Sequence, residues 1–294
     1  MLALVTGGAG VVGKALCREL LQRGVCVRVL TLPGDTLAKS LPPEVEVFYG
    51  DVTDPSSLKS AFQGVDVVYH LAAILLSTQK GSFDRINAGG TRNVVDAAVE
   101  AGVSRLLYVS SISVTYPVLT EYGQSKLKGE DFVRRAGEEH GLKWTIVRPT
   151  LVIGDGGGIE FRMYANYVKR FPVYFLPGGG KSLKKPVRSV DLVKGIAAAG
   201  LSEHSVGKTY SLAGSREISM AEMAKFVLKK SGKNHLMIPL PWWISRKLAV
   251  LKGWIGGKPV TAEQALAGFL YDAVPSIDQA SHDLDYYPAS PFDD

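Results

Sequence analysis

The sequence predicts an α/β fold: a doubly wound, Rossmann-type parallel sheet with a smaller C-terminal substrate lobe. Three observations predict it. Short apolar runs alternate with helix-length segments through the first 150 residues, a glycine-rich turn joins the first run to the first helix, and the composition changes after residue 150. Continuous apolar runs are typical of strands that are covered on both faces, and repeated strand–helix units imply right-handed crossovers.

The elements of the first half follow in chain order. Six runs are predicted as strands: Ala3–Thr6, Val25–Thr31, Glu46–Tyr49, Val65–His70, Arg105–Ser110 and Trp144–Arg148. Four segments between them are predicted as helices: Lys14–Arg23, Ser56–Phe62, Thr91–Ala101 and Tyr122–His140. We therefore expect residues 1–150 to form a dinucleotide-binding Rossmann domain.

Residues 151–294 are expected to form most of the substrate lobe, with some segments returning to the sheet. Glycine-rich loops at 154–158 and 177–180 bracket an aromatic helical stretch at 161–171. Two further segments are predicted as helices: Val190–Leu201 and Ser219–Lys230. These elements are expected to close over the edge of the sheet where an open α/β sheet binds its ligand.

The Trp-rich stretch 241–255 has an amphipathic pattern. It places four apolar residues on one helical face: Ile244, Leu248, Leu251 and Ile255. Such a helix could touch membrane lipid or an apolar substrate. The favoured interpretation is a helix that packs into the core of the lobe.

Length and composition exclude several classes of protein. The 294 residues are 46% hydrophobic and carry 34 Lys and Arg against 28 Asp and Glu, a net charge of +6, which excludes a disordered chain. Cys17 and Cys26 are the only cysteines, so we expect no disulfide scaffold, no metal site and a cytoplasmic location. The basic residues are scattered and no apolar run is long enough to span a bilayer, so neither a nucleic-acid partner nor a transmembrane segment is expected.

The glycine-rich turn Thr6–Gly13 follows the first strand and opens the first helix. Gly7 suits the tight turn, Gly10 the approach of backbone amides to a pyrophosphate, and Gly13 the close packing of helix on strand. The anion is expected at the start of the helix, at Val11 and Val12, where free N–H groups and the helix dipole favour negative charge. The turn predicts a dinucleotide site.

The choice between NAD and NADP depends on the end of the second strand. An acid there would bind the adenosine ribose 2′-hydroxyl, but the position falls near Thr31, and no carboxylate follows until Asp35. Without that negative charge a 2′-phosphate is tolerated, and Arg28 could pair with it. The sequence slightly favours NADP over NAD.

A tyrosine and a lysine lie four residues apart at the start of a predicted helix. Tyr122 and Lys126 therefore share one helical face. A free phenol has a pKa of about 10, and a neighbouring ammonium favours the phenolate and lowers that pKa. Ser110 and Ser111, at the end of the fifth strand, offer a hydroxyl that could hold a substrate oxygen. The arrangement predicts acid–base chemistry on a carbonyl or alcohol.

These residues resemble the extended short-chain dehydrogenase/reductase family, the NAD-dependent epimerase/dehydratase group. The similarity spans nearly the whole chain. Its further motifs are Gly50–Asp54, Tyr69–Ala73, Asn87–Asn93, Arg148–Thr150 and Val190–Asp191.

The resemblance implies a role for each matching position. Tyr122 would be the general acid or base, Lys126 would hold the nicotinamide ribose, and Ser111, rather than Ser110, would be the catalytic serine. Cofactor contacts are implied for Asp51, Val52, Leu71, Ala72, Ala73, Asn87, Ser110, Pro149, Thr150 and Leu151. Simpler structural roles are also open: Asp51 as a turn cap, His70 as a hydrogen-bonded histidine at a strand end and Asn87 as a helix N-cap.

Three departures from the family pattern bear on the substrate. The segment 148–154 lacks the asparagine that is usual in nucleotide-sugar enzymes, and Lys184 or Lys185 stands where an arginine would face a diphosphate. Ser111 and Tyr122 are only eleven residues apart, which shortens a loop that walls the pocket. The short loop predicts a more open site or one covered by the C-terminal lobe. The form Arg148-Pro149-Thr150 looks more like the 3β-hydroxysteroid dehydrogenase and dihydroflavonol reductase-like branch, which handles less polar carbonyls.

The sequence therefore predicts an NAD(P)-dependent oxidoreductase that transfers hydride between a nicotinamide and the carbonyl or secondary alcohol of a small molecule. An NDP-sugar epimerase or dehydratase of the same family is the first alternative. A non-catalytic NAD(P)H-binding sensor or assembly subunit is the alternative from another class. A homodimer through the helices after the fourth and fifth strands is implied by the resemblance.

Overall fold

The central feature of the computed structural model is a seven-stranded parallel sheet. The structure describes residues 1–77, 79–154, 158–255 and 267–293, and within 249–255 it describes the backbone only. The strands are β1 Leu2–Thr6, β2 Cys26–Thr31, β3 Glu46–Tyr49, β4 Val67–His70, β5 Arg105–Val109, β6 Lys143–Pro149, β7 Val152–Ile153, β8 Val173–Pro177, β9 Leu183–Lys184, β10 Val187–Arg188, β11 Lys208–Leu212, β12 Ile218–Ser219 and β13 Leu236–Leu240. The central sheet has the order β3-β2-β1-β4-β5-β6-β11.

The helices alternate with these strands. They are α1 Val11–Gln22, α2 Lys59–Phe62, α3 Gly90–Glu100, α4 Glu121–His140, α5 Ile159–Arg170, α6 Ser189–Leu201, α7 Met220–Lys230, α8 Trp242–Ile255 and α9 Asp278–Leu284. The chain leaves β1 toward β2 and β3 and then crosses back to place β4 on the other side of β1. The resulting switch point, between β1 and β4, is where a doubly wound sheet binds its ligand.

The two faces of the sheet carry separate cores. On β1, Ala3 and Val5 face the side covered by α1, α6 and α9, whereas Leu4 faces the side covered by α2, α3 and α4. Because both faces are covered, the strands are apolar at consecutive positions rather than at alternate ones. This arrangement confirms the predicted doubly wound fold.

A third core lies in the C-terminal lobe. Tyr164 and Val168 of α5 pack with Tyr174 of β8 and with Met223 and Val227 of α7. Hydrogen bonds from Thr150 Oγ1 to the Lys185 carbonyl and from Val187 N to the Leu151 carbonyl attach this lobe to the end of β6. Within the described residues, no helix combines the length and apolar character that crossing a bilayer requires.

Several predicted elements differ in detail. The segment 56–62 forms a 3-10 turn followed by the short α2, and a π-helical turn at 84–89 precedes α3. The strand β11 was not among the predicted strands, because its sequence Lys-Thr-Tyr-Ser-Leu lacks the continuous apolar run from which the other strands were predicted. β11 and α6 return to the sheet from the second half of the chain, as expected for some segments beyond residue 150. The domain boundary itself stays a prediction.

Replacing Gly200 with alanine should destabilise the fold. A Cβ at this position of α6 would lie 2.3 Å from the ring of Tyr69, which is fully buried on β4. We expect a loss of about 1–3 kcal/mol in the free energy of unfolding, measured by urea titration. The matched control is Gly268→Ala, where nothing lies within 4 Å of the added methyl. An equal loss in both variants would contradict the proposed steric conflict.

Candidate active site

The glycine-rich turn forms a cradle that only glycines can build. Gly7 has φ +71°, and a Cβ there would lie 2.9 Å from the backbone of Ala72. A Cβ on Gly13 would lie 2.3 Å from the Gly7 carbonyl oxygen. Gly10 is the N-cap of α1 without a side-chain cap, and no acid occupies the first turn, so the first N–H groups stay available for an anion. This cradle fits a dinucleotide pyrophosphate.

The loop after β4 lies directly against the cradle. Leu71 N donates to the Thr6 carbonyl at 3.1 Å, and Ala72 N to Thr6 Oγ1 at 3.3 Å. Ala73 is exposed beside them. The structure therefore brings three predicted cofactor contacts, Leu71, Ala72 and Ala73, next to the glycine turn.

Asn87 acts as a buried bridge between this loop and α4. Its Oδ1 accepts from Ile74 N at 2.8 Å, and its Nδ2 donates to the Ile74 carbonyl and to Ser125 Oγ. The helix N-cap interpretation is wrong, because Gly89 caps α3. Asn87 instead holds the loop after β4 at a set distance from the helix that carries the tyrosine and the lysine.

His70 is a satisfied histidine at the end of β4. It bonds Thr6 Oγ1 at 2.7 Å through Nδ1 and Thr91 Oγ1 at 2.9 Å through Nε2, and it stacks on Tyr108. Burial, aided by the charge of Lys126, lowers the pKa of His70 to about 3. The ring is therefore neutral and structural, which confirms the simpler interpretation.

The end of β2 does not offer the arginine that the sequence suggested for a 2′-phosphate. Arg28 is buried, and its guanidinium is bound by Glu46 at 2.7 Å and by the carbonyls of Ala61 and Gln63. Thr31 Oγ1 instead donates to Asp35 Oδ2 at 2.7 Å. The carboxylate of Asp35, four residues beyond the expected position, is thus brought back to the end of β2.

Asp51 and Val52 lie at the neighbouring strand end. Asp51 Oδ1 accepts from Thr53 N at 2.8 Å, which confirms that Asp51 caps a turn. Val52 is buried, and its carbonyl accepts from Asn93 Nδ2 at 2.8 Å. Both residues lie after β3, on the same edge of the sheet as the glycine turn, as the predicted adenine contact requires.

Tyr122 and Ser111 meet in the cleft. Ser111 follows β5 and Tyr122 lies in the first turn of α4, and the Ser111 hydroxyl, which accepts from Ser113 Oγ at 2.9 Å, is close enough to act on the Tyr122 phenol. Burial raises the pKa of Tyr122 above its ordinary value, the charge of Glu160 raises it further, and the Ser111 hydrogen bond opposes both. The expected lowering by Lys126 is not observed, because burial has the larger effect. At neutral pH Tyr122 is a protonated phenol.

Lys126 lies one turn further along α4. It is buried, and its Nζ stands 4.2 Å from the centroid of the Tyr108 ring. Burial lowers the pKa of Lys126 to about 7, against the opposing charge of Glu130. An ammonium this far removed from water is costly unless a further polar group meets it, and the hydroxyls of a nicotinamide ribose are such a group.

Glu130 anchors this helix and was not predicted. The carboxylate is fully buried and accepts from Arg148 Nε at 2.8 Å and Nη2 at 2.6 Å, from Arg134 Nη2 at 2.8 Å and from Ser110 Oγ at 2.6 Å. Burial acts to raise the pKa of Glu130, but the hydrogen bonds from Arg148 and Ser110 outweigh it and the net shift is downward. The Ser110 hydroxyl is therefore engaged, and its backbone N–H donates to the Val147 carbonyl at 2.8 Å, so the implied cofactor contact of Ser110 stays a prediction.

Aromatic side chains lie near Tyr122 and near the buried Lys184. Phe83 meets the Tyr122 ring edge-on at 6.1 Å, and Tyr116 packs against Tyr271 at 5.6 Å. Lys184 is buried, with its ammonium on the Tyr271 carbonyl and 5.8 Å from the Tyr116 ring. Its pKa is lowered to about 8 by burial. Lys184 is thus committed to the protein and does not present a charge to a diphosphate.

Two further features complete the cleft. Pro149, Thr150 and Leu151 run from the end of β6 into the lobe, with Thr150 buried and bonded to it. Glu160, in the first turn of α5, is open to solvent, yet its charge raises the pKa of Tyr116 as well as that of Tyr122. Sequence reasoning missed Glu160, because nothing in its local sequence connects the first turn of α5 with α4.

A dinucleotide cradle at the switch point of a doubly wound sheet, with a tyrosine, a serine and a lysine grouped beside it, defines the class of NAD(P)-dependent dehydrogenases and epimerases. A model of the NAD dependent epimerase/dehydratase family matches residues 3–213. The chain belongs to this family and is an enzyme of the extended short-chain dehydrogenase/reductase type.

Individual relatives agree with this assignment. The chain is 30% identical over 321 residues to a 3 beta-hydroxysteroid dehydrogenase/Delta 5→4-isomerase of Mycobacterium tuberculosis, which covers 97% of this chain and 85% of the relative. The crystal structure of gox2253 is similar with a TM-score of 0.83 and 26% identity, covering 99% and 94% of the two chains. The dTDP-glucose 4,6-dehydratase DesIV of Streptomyces venezuelae, solved with NAD and TYD bound, has a TM-score of 0.78 at 24% identity, covering 99% and 93%.

Removing the Glu130 charge should destabilise the protein in a pH-dependent way. We expect Glu130→Gln to lose about 3–5 kcal/mol of unfolding free energy at pH 7, because Arg148 loses its buried partner. The folded pKa of Glu130 lies below the unfolded value of about 4.3, so its stabilisation is full above that pH and is lost as the pH falls through the folded pKa. The difference from wild type should shrink below about pH 4. Exposed Glu138→Gln, on the same helix, is the control and should change stability by less than about 0.5 kcal/mol.

Removing the Lys126 charge should raise the free energy of unfolding of the cofactor-free protein. The folded pKa of about 7 lies below the unfolded value of about 10.4, so burying the charge costs stability in full below pH 7 and not at all above about pH 10. We expect Lys126→Met to match or exceed wild type by about 1–2 kcal/mol at pH 7, with the gain lost by about pH 10. Urea titrations at both pH values measure it. Lys128→Met, exposed two residues on, should show no such gain, and a destabilised Lys126→Met would contradict the expectation.

Proposed function

We propose that the protein is an NAD(P)-dependent dehydrogenase or reductase of a low-polarity carbonyl or secondary alcohol. The observation that carries the proposal is the grouping of Tyr122 with Ser111, which follows β5, and with buried Lys126 one helical turn further on, beside the aromatic ring of Phe83. A bound nicotinamide dinucleotide would supply the hydride, and the family's chemistry requires no other redox group.

The chain's own residues account for the proton. Because its pKa is raised, Tyr122 holds a proton that it can donate to a carbonyl oxygen as that oxygen gains charge during reduction. The Ser111 hydroxyl orients the same oxygen. Lys126 holds the nicotinamide ribose. Its positive charge lies one helical turn from the phenol and stabilises the Tyr122 phenolate that remains after the proton has left. In oxidation of an alcohol the same atoms work in reverse.

The cofactor is a nicotinamide dinucleotide, and we propose that it is NAD. The slight preference for NADP depended on the absence of an acid at the end of β2 and on the availability of Arg28. Arg28 is bound by Glu46 and two carbonyls, and the Asp35 carboxylate lies at hydrogen-bond distance from Thr31 at that strand end. A carboxylate there accepts from a ribose 2′-hydroxyl and repels a 2′-phosphate.

The substrate is proposed to be less polar than a nucleotide sugar. The rings of Phe83, Tyr116 and Tyr271 form the walls, and Lys184 is occupied by the Tyr271 carbonyl. The 3 beta-hydroxysteroid dehydrogenase/Delta 5→4-isomerase of Mycobacterium tuberculosis supports this class. An NDP-sugar epimerase of the same family is the alternative. We also propose a cytoplasmic location and a homodimer, on the free cysteines and on the family respectively.

Tyr122→Phe tests the proposal. It should leave the affinity for NADH within about threefold and lower turnover by about a hundredfold or more, because only the proton donor is lost. NADH and NADPH are titrated separately, and absorbance at 340 nm follows oxidation of 3β-hydroxysteroids and of simple cyclic alcohols. Tyr287→Phe, an exposed tyrosine, is the control.

The outcomes separate the alternatives. Net formation of NADH by wild type and its loss in Tyr122→Phe support the dehydrogenase. Interconversion of UDP-hexoses without net NADH, with NAD retained through purification and detected by mass spectrometry, would instead establish the epimerase. Cofactor binding with no turnover of either substrate class would favour the non-catalytic binder.

A further inference from the structure

The basic residues of this protein are concentrated in two stretches of the C-terminal lobe. Residues 161–190 contain seven Lys or Arg and no Asp or Glu, and residues 223–262 contain eight and none. These 70 residues hold 15 of the 34 basic residues and none of the 28 acidic ones, so the rest of the chain is net negative. The expectation that the basic residues are scattered is therefore wrong for these two stretches, although residues 151–294 as a whole carry 18 Lys and Arg against 13 Asp and Glu, a net charge of +5.

The fold brings the two stretches together. β8, from the first, pairs in parallel with β13, from the second, in the register Val173↔Leu236 through Pro177↔Leu240. α5 packs against α7, and Lys233 Nζ donates to the Lys169 carbonyl. Basic residues from distant parts of the sequence, such as Lys169 and Lys233, are thus brought next to each other within the described part of the lobe.

The β8–β13 ribbon has apolar residues on both faces. One face, with Tyr174, Leu176 and Met237, packs into the core of the lobe. The other, which we term the β8–β13 face, consists of Val173, Phe175, Pro177, Leu236, Ile238 and Leu240. Phe175 is 43% exposed and Leu236 is 63% exposed. A solvent-facing sheet face is normally polar, so the exposed apolar side chains of this face indicate a surface that contacts another apolar surface.

The start of α8 extends the same surface. It follows β13 directly, and its Ser245 bonds Gly178 N just beyond β8. Trp243 is 61% exposed and Leu248 is 50% exposed, while Ser245 is buried. Of the four residues predicted to face the core, Ile244 is half-buried and Leu248 is exposed, so the prediction of a core-packing helix is wrong at Leu248; the side chains of Leu251 and Ile255 lie outside the described part.

Cations lie beside the exposed aromatic rings. Lys247 Nζ is 5.7 Å from the Trp243 ring centroid, and the Arg170 guanidinium is 5.2 Å from that of Phe171. Phe171 is itself exposed at the end of α5. Aromatic and aliphatic side chains interleaved with Lys and Arg are the composition of surfaces that lie in the interface of a bilayer.

We propose that the β8–β13 face and the start of α8 dock on the surface of an anionic lipid bilayer. The apolar side chains would enter the headgroup region and the surrounding Lys and Arg would meet lipid phosphates. Charge decides against a second copy of this chain, because two such basic faces repel each other. A nucleic acid would satisfy the cations but would leave Leu236, Phe175 and Leu248 without an apolar partner.

Docking would place the active-site cleft close to the lipid. Glu160 lies in the cleft at one end of α5 and Phe171 lies at the other end beside the β8–β13 face, a separation of about 16 Å along the helix. A substrate dissolved in the bilayer would then have a short path to Tyr122. The docking itself does not depend on the proposed dehydrogenase activity.

Vesicle sedimentation of the full-length protein tests the docking. We expect it to sediment with phosphatidylcholine–phosphatidylglycerol vesicles at low salt and to dissociate from them at high salt. It should not sediment with vesicles of pure phosphatidylcholine. Arg170→Gln/Lys247→Gln should weaken binding about tenfold or more, and Trp243→Ala should weaken it about five- to tenfold. The matched controls are Lys59→Gln/Arg135→Gln, which removes the same charge from the dinucleotide domain, and Tyr287→Ala; both should bind like wild type.

A second readout locates the inserted residue. Brominated lipid in the anionic vesicles should quench tryptophan fluorescence, and Trp243→Phe should bind with near wild-type affinity yet lose much of that quenching. Thermal melting confirms that each variant is folded. No sedimentation with anionic vesicles, equal weakening by the control pair, or stronger binding to poly(U) than to vesicles would each overturn the proposal.

Discussion

The buried carboxylate of Glu130 is the constraint on which the active site depends. Ser110 and Arg148, at the ends of β5 and β6, both donate to it and so tie α4 to the sheet edge where the cofactor cradle lies. A buried carboxylate is costly unless its hydrogen-bond donors stay in place. Moving α4 along the sheet would break these hydrogen bonds, so Glu130 fixes the position of the helix. Lys126 and Tyr122 lie one and two turns earlier on the same helix. Their placement is a consequence of an ion pair that takes no part in the chemistry.

Burial sets the electrostatics of the site. It raises the pKa of Tyr122 and lowers that of Lys126, so both shifts favour the uncharged forms, and the neighbouring rings keep water from restoring the charges. In such a site a polar group of a bound molecule makes strong electrostatic interactions, and in the proposed function the ribose hydroxyls and the reacting oxygen would be those groups. The neutral His70 also adds no charge to this region. It lies on β4 and is hydrogen-bonded to Thr6 of β1 and to Thr91 of α3, so it links these elements as an uncharged group.

The lobe and the dinucleotide domain differ in their surfaces as well as in their cores. The domain that holds the cofactor is covered by helices on both faces of its sheet, so its apolar residues are hidden. The lobe is built on a two-stranded ribbon with one face in its core and an equally apolar face outside. Arg170 and Lys247 lie beside the exposed rings of Phe171 and Trp243 near that outer face. Cleft and outer face share α5, which links the place of chemistry to the exposed surface.

The sequence by itself determined the doubly wound sheet, the glycine cradle and the Tyr122–Lys126 pair, because strand periodicity, positive φ and helical spacing are local properties. It did not reveal that Arg28 is occupied, that Asp35 returns to Thr31, or that Glu130 anchors α4, since each depends on atoms from separate elements. It also left open where the Trp-rich helix faces, because an amphipathic pattern suits a core and a membrane surface equally. Only the tertiary structure decided these points: it alone fixes which side chains meet and which faces stay uncovered.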